Sequence, residues 1–345
     1  MRIIKAGYQF LTDESITKKI ERVARICYKS EDKIGPGTDV KMLNNLIKRQ
    51  HLAMLEHGDV CLDVSKNVYD LITDVINMME SIIRLGLEPK KCYLRRTEMY
   101  LCSGRTRYIV SGNMRAWYEF FLEAAKVEAL PASVYDAVNE MMEHLFDNSP
   151  IKNYKIGINE DVWGACLVPY DCKVIKDMSK LSEEERMVHE TVSILFTVDR
   201  GVTHELVRHR DCSFAQESTR YCDYVLGKHG SEIAVIEPCF YVDSGDEYNT
   251  WVSGMQDAEM YYFNLRGLGG SPQETRTTLP TSVKADIVMT TNLREWKHIF
   301  NLRACDFTGP SHPQMKEVMI PAFKEMRTLF PFAFKDMLAA DEVHG

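Results

Sequence analysis

The sequence predicts an α+β fold in which an antiparallel or mixed sheet packs against long helices, with a helical lobe inserted at 67–187. Three observations lead there. Apolar residues alternate with a period of two at Val60, Leu62 and Val64, and again at Val192, Ile194, Phe196 and Val198, the pattern of strands with one buried face. Elsewhere they recur at helical spacing, as at Ile16, Ile20, Val23 and Ala24. No internal repeat and no low-complexity linker divides the 345 residues, so the chain reads as a single domain over 1–345.

Taken in order, residues 2–10 read as one strand and 15–27 as a helix whose charges lie opposite its apolar face. A second helix is expected at 40–49 and a half-buried strand at 60–64. From Asn67 the apolar residues return at helical spacing as far as Gly86, a C-terminal stop signal. The segment 98–112 reads as two strands around a turn near Ser103 and Gly104. Asn113 suits the cap of a helix carrying Trp117, Phe120, Phe121 and Ala124, and a further helix covers 133–146. Residues 163–172 form a candidate strand entering a turn. A strand at 192–198 leads into a short helix at 202–210. Gly267 to Pro272 is a loop whose glycines fit neither a phosphate loop nor a dinucleotide fingerprint. The longest helical candidate is 285–305, followed by a break at Gly309 and Pro310 and a last helix from Ser311.

The composition is 45% hydrophobic and 27% charged, that of a globular chain rather than a disordered one. A net charge of −8 gives no overall attraction to nucleic acid or to acidic membranes, so anion binding must come from a local cluster. No apolar run approaches the roughly 18 residues of a membrane span. The N-terminal stretch has no signal-peptide pattern, and a cytoplasmic location is expected. The ten cysteines contain no CxxC pair, so they read as reduced thiols rather than zinc ligands or disulfides.

Against that acidic background, 204–224 holds three arginines, two histidines, a glutamine and a run of hydroxyls. A zinc helix fails on geometry, since His204 and His209 are five apart, about 140° around a helix. A serine hydrolase lacks its GxSxG elbow. A nucleic-acid face fits poorly without a basic chain or tail. A solvated helix end would account for Arg208, His209 and Arg210 alone. Ser213, Gln216, Ser218, Arg220 and Tyr221 at tight spacing add hydrogen-bonding groups suited to a small, multiply anionic ligand such as a nucleotide.

Arg208-His209-Arg210, seven residues and then Ser218, with Arg220-Tyr221 after it, resembles the RHRx₇S signature of the flavin-dependent thymidylate synthases. Other blocks follow the family's order. HLAMLEH at 51–57 resembles its His-x₄-Glu-His segment, TRTTLP at 275–280 its Ala-Arg-x-x-Leu-Pro segment with Thr275 for alanine, and 292–314 its Asn-x-Arg, Leu-Arg and His-x-Gln segment. The matched regions are 1–65 and 188–330.

The resemblance implies a single catalytic domain and FAD contacts from His51, Glu56, Arg208, His209, Arg210, Asn292, Arg294 and His298. It implies a dUMP group of Ser218, Arg220, Arg276 and Arg303, with Glu205 and Gln216 as further members and Gln314 supporting the same end. Arg303 and Ser218 are the expected catalytic pair, Arg303 as a fixed cation beside the uracil ring and Ser218 without a nucleophilic role. No metal is expected. The implied reaction is reductive methylation of dUMP to dTMP, with methylenetetrahydrofolate as carbon donor and NADPH reducing the flavin, in a homotetramer that binds no nucleic acid. A related flavin-dependent pyrimidine-nucleotide methyl- or hydroxymethyltransferase, or a non-catalytic nucleotide- or RNA-binding protein, are the alternatives. Two departures stand out: Ala215-Gln216 where the family often has Asn-Glu, and Glu205 where it often has Gln. A carboxylate at 205 is unfavourable beside a phosphate unless it is protonated or turned away.

Overall fold

The computed structural model describes residues 1–13, 15–81, 91–101, 103–126, 132–142, 172–220, 223–225 and 231–343. In chain order the elements are β1 (Arg2–Ile4), β2 (Gly7–Phe10), α1 (Ile16–Tyr28), α2 (Thr38–Lys48), β3 (Asp59–Val64), α3 (Lys66–Ser81), β4 (Arg95–Tyr100) and β5 (Thr106–Asn113). They continue with α4 (Met114–Lys126), α5 (Ala132–Met141), β6 (Cys172–Val174), α6 (Glu183–His189), β7 (Thr191–Asp199), α7 (Arg200–Leu206), β8 (Ser213–Gln216) and β9 (Ala234–Ile236). The last third holds α8 (Asp246–Gly267), α9 (Pro272–Thr275), β10 (Lys284–Asn292), α10 (Leu293–Arg303), α11 (Pro313–Leu329), α12 (Pro331–Phe334) and α13 (Ala340–Val343). Among the described residues no helix is long and apolar enough to cross a membrane.

The mixed α+β architecture agrees with the sequence, but several elements differ. Residues 2–10 form two strands in two different sheets, β1 pairing with β9 and β2 with β7. The single helix expected over 285–305 is half strand: β10 runs to Asn292, and α10 begins only there. Its β-branched Ile287, Val288, Thr290 and Thr291 favour a pleated conformation, and the Asn292 side chain caps the helix that follows. The 22-residue α8 has no counterpart in the sequence reading, because among its residues only Tyr262 is buried and no apolar stripe marks it. The candidate strand over 163–171 lies outside the described residues.

The chain divides into two compact units. The first comprises Met1–Leu11, Arg22–Lys33 and Val192–Gly345, the second Thr12–Glu21 and Ile34–Thr191. In the first, β1 and β9 pair in parallel, and a four-stranded sheet has the order β2-β7-β10-β8. Its core gathers on α10, where Trp296 is fully buried, stacks on Phe300 at 5.2 Å between ring centres and donates its indole N–H to the Val192 carbonyl at 3.1 Å.

The second unit carries an antiparallel sheet of order β4-β5-β3-β6. Gly104, with φ of 78°, makes the turn between β4 and β5 that the sequence indicated. Asn113 caps α4 through the Ala116 amide at 2.9 Å, and the buried Trp117 of that helix donates to the Val60 carbonyl on β3 at 3.3 Å. His57 is buried and His51 exposed. Between them and β3 lies Gly58, where an added Cβ would sit 2.4 Å from Ile16 Cγ2 and 2.8 Å from Ile20 Cδ1. Replacing Gly58 by Ala is therefore expected to destabilise the protein by about 1–3 kcal/mol through overpacking. Chemical denaturation would measure it, with Gly35→Ala as a neutral control, since nothing lies within 4 Å of a Cβ there.

Candidate active site

Two strand-to-helix transitions in the first unit build the site. At the end of β7, Asp199 Oδ1 accepts the Val202 amide hydrogen at 2.8 Å and starts α7. At the end of β10, Asn292 Oδ1 accepts the Glu295 amide hydrogen at 2.9 Å and starts α10. The two strands are neighbours. Their side-chain contacts, Ser193 with Thr290 at 2.6 Å and Thr197 with Asp286 at 2.7 Å, step in opposite directions along the strands, as antiparallel neighbours require. The helices therefore start from opposite ends. α10 doubles back over eleven residues, a length of about 16 Å, and brings Arg303 in its last turn against the last turn of α7.

The meeting point is polar. Arg303 donates from Nη1 to the Glu205 carboxylate at 2.8 Å, from Nη2 to the Glu205 carbonyl at 3.4 Å, and from Nε to His209 Nε2 at 3.2 Å. A guanidinium only donates, so His209 Nε2 accepts and the imidazole proton sits on Nδ1. Burial, followed by the positive charge of Arg303 and the proximity of His298, holds the His209 pKa down to about 4. His209 is thus neutral at physiological pH. The exposed His298 ring stands edge-on to it, 6.3 Å between centres. Burial also raises the Glu295 carboxyl pKa, against a lowering effect of His298.

Ligand atoms of His209, Glu295 and His298 lie within 4.8 Å of one another, close enough to suggest a metal. The lone pair of His209 Nε2 is already engaged by Arg303, however, whose charge opposes a divalent ion beside it. The arrangement suits a neutral ring edge better than a cation.

Behind Ser218 lies a second cluster. Glu217, 2% exposed, accepts from Lys284 Nζ at 2.7 Å, with Lys29 Nζ at 3.4 Å. Asp286 is paired with Lys284 at 2.6 Å and with Lys29, and accepts the Thr197 hydroxyl hydrogen. Burial alone would push the Asp286 pKa up; Lys284 and Lys29 outweigh it and bring it to about 2. Burial likewise opposes the charge on Lys29, and Glu217 and Asp286 more than compensate, so its pKa is raised. Arg200 donates to the Glu217 carbonyl at 3.0 Å.

Of the residues singled out from the sequence, the structure brings Glu205, His209 and Arg303 into contact and sets His298 beside them. Glu205 is accommodated as the partner of Arg303. Gln216 donates its amide hydrogen to Thr203 Oγ1 at 2.9 Å, and Ser218 Oγ accepts the Arg220 amide hydrogen at 3.3 Å. Arg208, Arg210, Arg220, Arg276 and Arg294 are exposed. Asn292 caps α10 rather than lying within the helix expected over 285–305. Gln314 is buried at the start of α11. His51 and Glu56 belong to the second unit, where Glu56 pairs with Arg115 at 2.7 Å. Tyr221 lies outside the described residues.

Sequence reasoning missed Lys29, Glu217, Lys284, Asp286 and Glu295. Lys284 and Asp286 carried a usable signal, since charges two apart in a strand share a face. Lys29 carried none, because its partners lie far away in sequence.

Residues 157–332, just over half of the chain, match the family model described as thymidylate synthase complementing protein. A flavin-dependent thymidylate synthase from Pyrococcus abyssi is 29% identical over 160 residues, covering 42% of this chain and 65% of the relative. One from Pyrococcus furiosus is 34% identical over 120 residues, covering 34% of this chain and 48% of the relative. The chain thus spans between about half and just under two thirds of the length of these relatives. The solved structure of a UMP/dUMP methylase, PolB, from Streptomyces cacaoi aligns with 40% of this chain and 70% of its own at 20% identity and a TM-score of 0.34, too loose a superposition to carry a structural argument.

The depressed His209 pKa has a measurable consequence. Between its ordinary value of 6.5 and the folded value of about 4, the unfolded chain binds a proton that the folded one does not. The associated stability is present above the first value and lost as pH falls through the second. Melting temperature is expected to drop across that window, and His209→Gln, which has no titrating ring, should flatten the drop in a pH series of thermal melts.

Proposed function

The chain belongs to the thymidylate synthase complementing protein family, and from that premise we propose that it is a flavin-dependent thymidylate synthase. It would methylate dUMP reductively to dTMP, taking the carbon from methylenetetrahydrofolate and the reducing equivalents from NADPH. The observation that carries this reading is the convergence of Arg303, Glu205 and His209 in one polar contact, reached from two helices that the fold starts at opposite ends of a sheet. A cation held by three hydrogen bonds is oriented before any ligand arrives, as stabilisation of developing negative charge on a pyrimidine ring requires.

The donor set fits a flavin dinucleotide. Exposed Arg208, Arg210 and Arg294 offer guanidinium groups for a pyrophosphate. His209, kept neutral, and exposed His298 offer ring edges to a planar heterocycle. Asn292 completes the proposed cofactor group of the first unit; FAD contacts from His51 and Glu56 of the second unit remain what the family resemblance implies. The bound flavin would supply the hydride; the protein's part is to bind and orient. Ser218, Arg220 and Arg276, with Gln216, form the proposed nucleotide group, the arginines taking the phosphate.

Arg303 keeps its positive charge throughout. Glu205 fixes the direction of that charge and keeps its own carboxylate turned toward the guanidinium, which supports its tolerance next to an anionic substrate. Ser218 orders the turn through the Arg220 amide and is given no nucleophilic role. A homotetramer is part of the proposal; an active monomer in analytical ultracentrifugation would count against it.

Purified protein should be yellow and should bleach with NADPH, faster when dUMP is present. Supplied with dUMP, methylenetetrahydrofolate and NADPH, it should yield a nucleotide with the mass of dTMP. Protein that takes up no flavin would defeat the reading, and a hydroxymethylated product would redirect it to the related transferase. Arg303→Ala should lower kcat by about 10²–10³-fold, the scale of losing a fixed charge-stabilising donor.

A further inference from the structure

The two lysines and two carboxylates behind Ser218 lie on three separate pieces of the first unit, and a fourth supplies a hydroxyl. Lys29 follows α1, Glu217 follows β8, and Lys284 and Asp286 lie on β10; Thr197 of β7 donates to Asp286. Two further contacts hold the residue joining this cluster to the turn. The Glu217 amide donates to the Asp286 carbonyl at 2.8 Å, and its carboxylate accepts the Asp286 amide hydrogen at 3.2 Å. The next residue, Ser218, donates its amide hydrogen to the Cys27 carbonyl near the end of α1 at 3.4 Å. The turn carrying Ser218 and Arg220 is thus pinned from both sides at its first two residues.

Lys29 adds an independent observation. It has a φ of 47°, the left-handed position that ends a helix and normally takes glycine. The bonds from Lys29 to the Ile26 carbonyl and from Ser30 to the Arg25 carbonyl, at 3.3 and 3.0 Å, are those of such a terminus. A side chain there is strained relative to glycine. The ammonium reaching Glu217 and Asp286 offsets this strain.

We propose that Lys29, Glu217, Lys284 and Asp286 form a latch that fixes the Ser218–Arg220 turn before ligand binds, with Glu217 as a positioning residue for the nucleotide. The nucleotide part rests on the function proposed above; the latch itself does not. Two substitutions in the full-length protein separate them. Glu217→Gln keeps an acceptor for the Asp286 amide but removes the charge facing both lysines. Lys29→Gly restores the residue the backbone prefers and removes one ammonium, so a loosened turn could not be ascribed to backbone strain.

Hydrogen exchange followed by mass spectrometry reads the latch without any ligand. Exchange in peptides covering 213–220 should rise about tenfold in either variant, with peptides from α11 unchanged. Unchanged exchange at 213–220 would overturn the latch. Should Glu217→Gln not fold, the double variant Lys29→Gly with Glu217→Gln, which removes one charge of each sign, takes its place. With dUMP as substrate, KM should rise about tenfold while kcat changes less than about threefold, the signature of lost ground-state binding. An unchanged KM beside raised exchange would overturn the positioning role of Glu217, and a wild-type protein inert toward dUMP would instead overturn the proposed function.

Discussion

Everything distinctive about the candidate site depends on where one guanidinium comes to rest. Arg303 makes three donations, two to Glu205 and one to His209, and each settles something else. The bonds to Glu205 tie the end of α10 to the end of α7. The bond to His209 fixes a tautomer and helps keep the ring uncharged. Surface ion pairs contribute little to stability as a rule, and this one is partly exposed on the Glu205 side. Its importance lies in geometry: it sets the direction of a permanent charge within an acidic protein.

That contact depends on a reversal of the chain. β10 and α10 form a continuous stretch of sequence that runs out along the sheet and back over it, and Asn292 is the pivot. Without the cap, the strand's β-branched residues and the helix's Trp296 and Phe300 would have no defined boundary. Trp296 secures the returning arm by bonding to the β7 backbone. The packing that stabilises the unit and the placement of the polar group are consequences of the same turn.

The sequence reading recovered elements where apolar residues recur at a regular spacing. α1, β3, α4 and α11 are of this kind, and so is the strand leading into the RHR segment. It failed at β10, where Ala285, Ile287, Val288 and Met289 are all buried, so that no alternation survives to distinguish strand from helix. It missed α8 for the opposite reason, since that helix buries too little for a periodic stripe. Within the site, motif spacing singled out Glu205, His209 and Arg303, which the structure brings into contact. It did not find what holds them, because Lys29, Glu217 and Asp286 are joined only by the tertiary fold.

The four-charge cluster also constrains how the sequence can drift. With two positive and two negative groups largely shielded from water, loss of any one leaves a shielded charge without its counterpart, and that is far more damaging than loss of an opposite pair together. Lys29 is held twice over, by its sign and by a backbone angle that few side chains adopt willingly. Positions 29, 217, 284 and 286 are therefore coupled through their charges, and a change at one alters what the other three must balance.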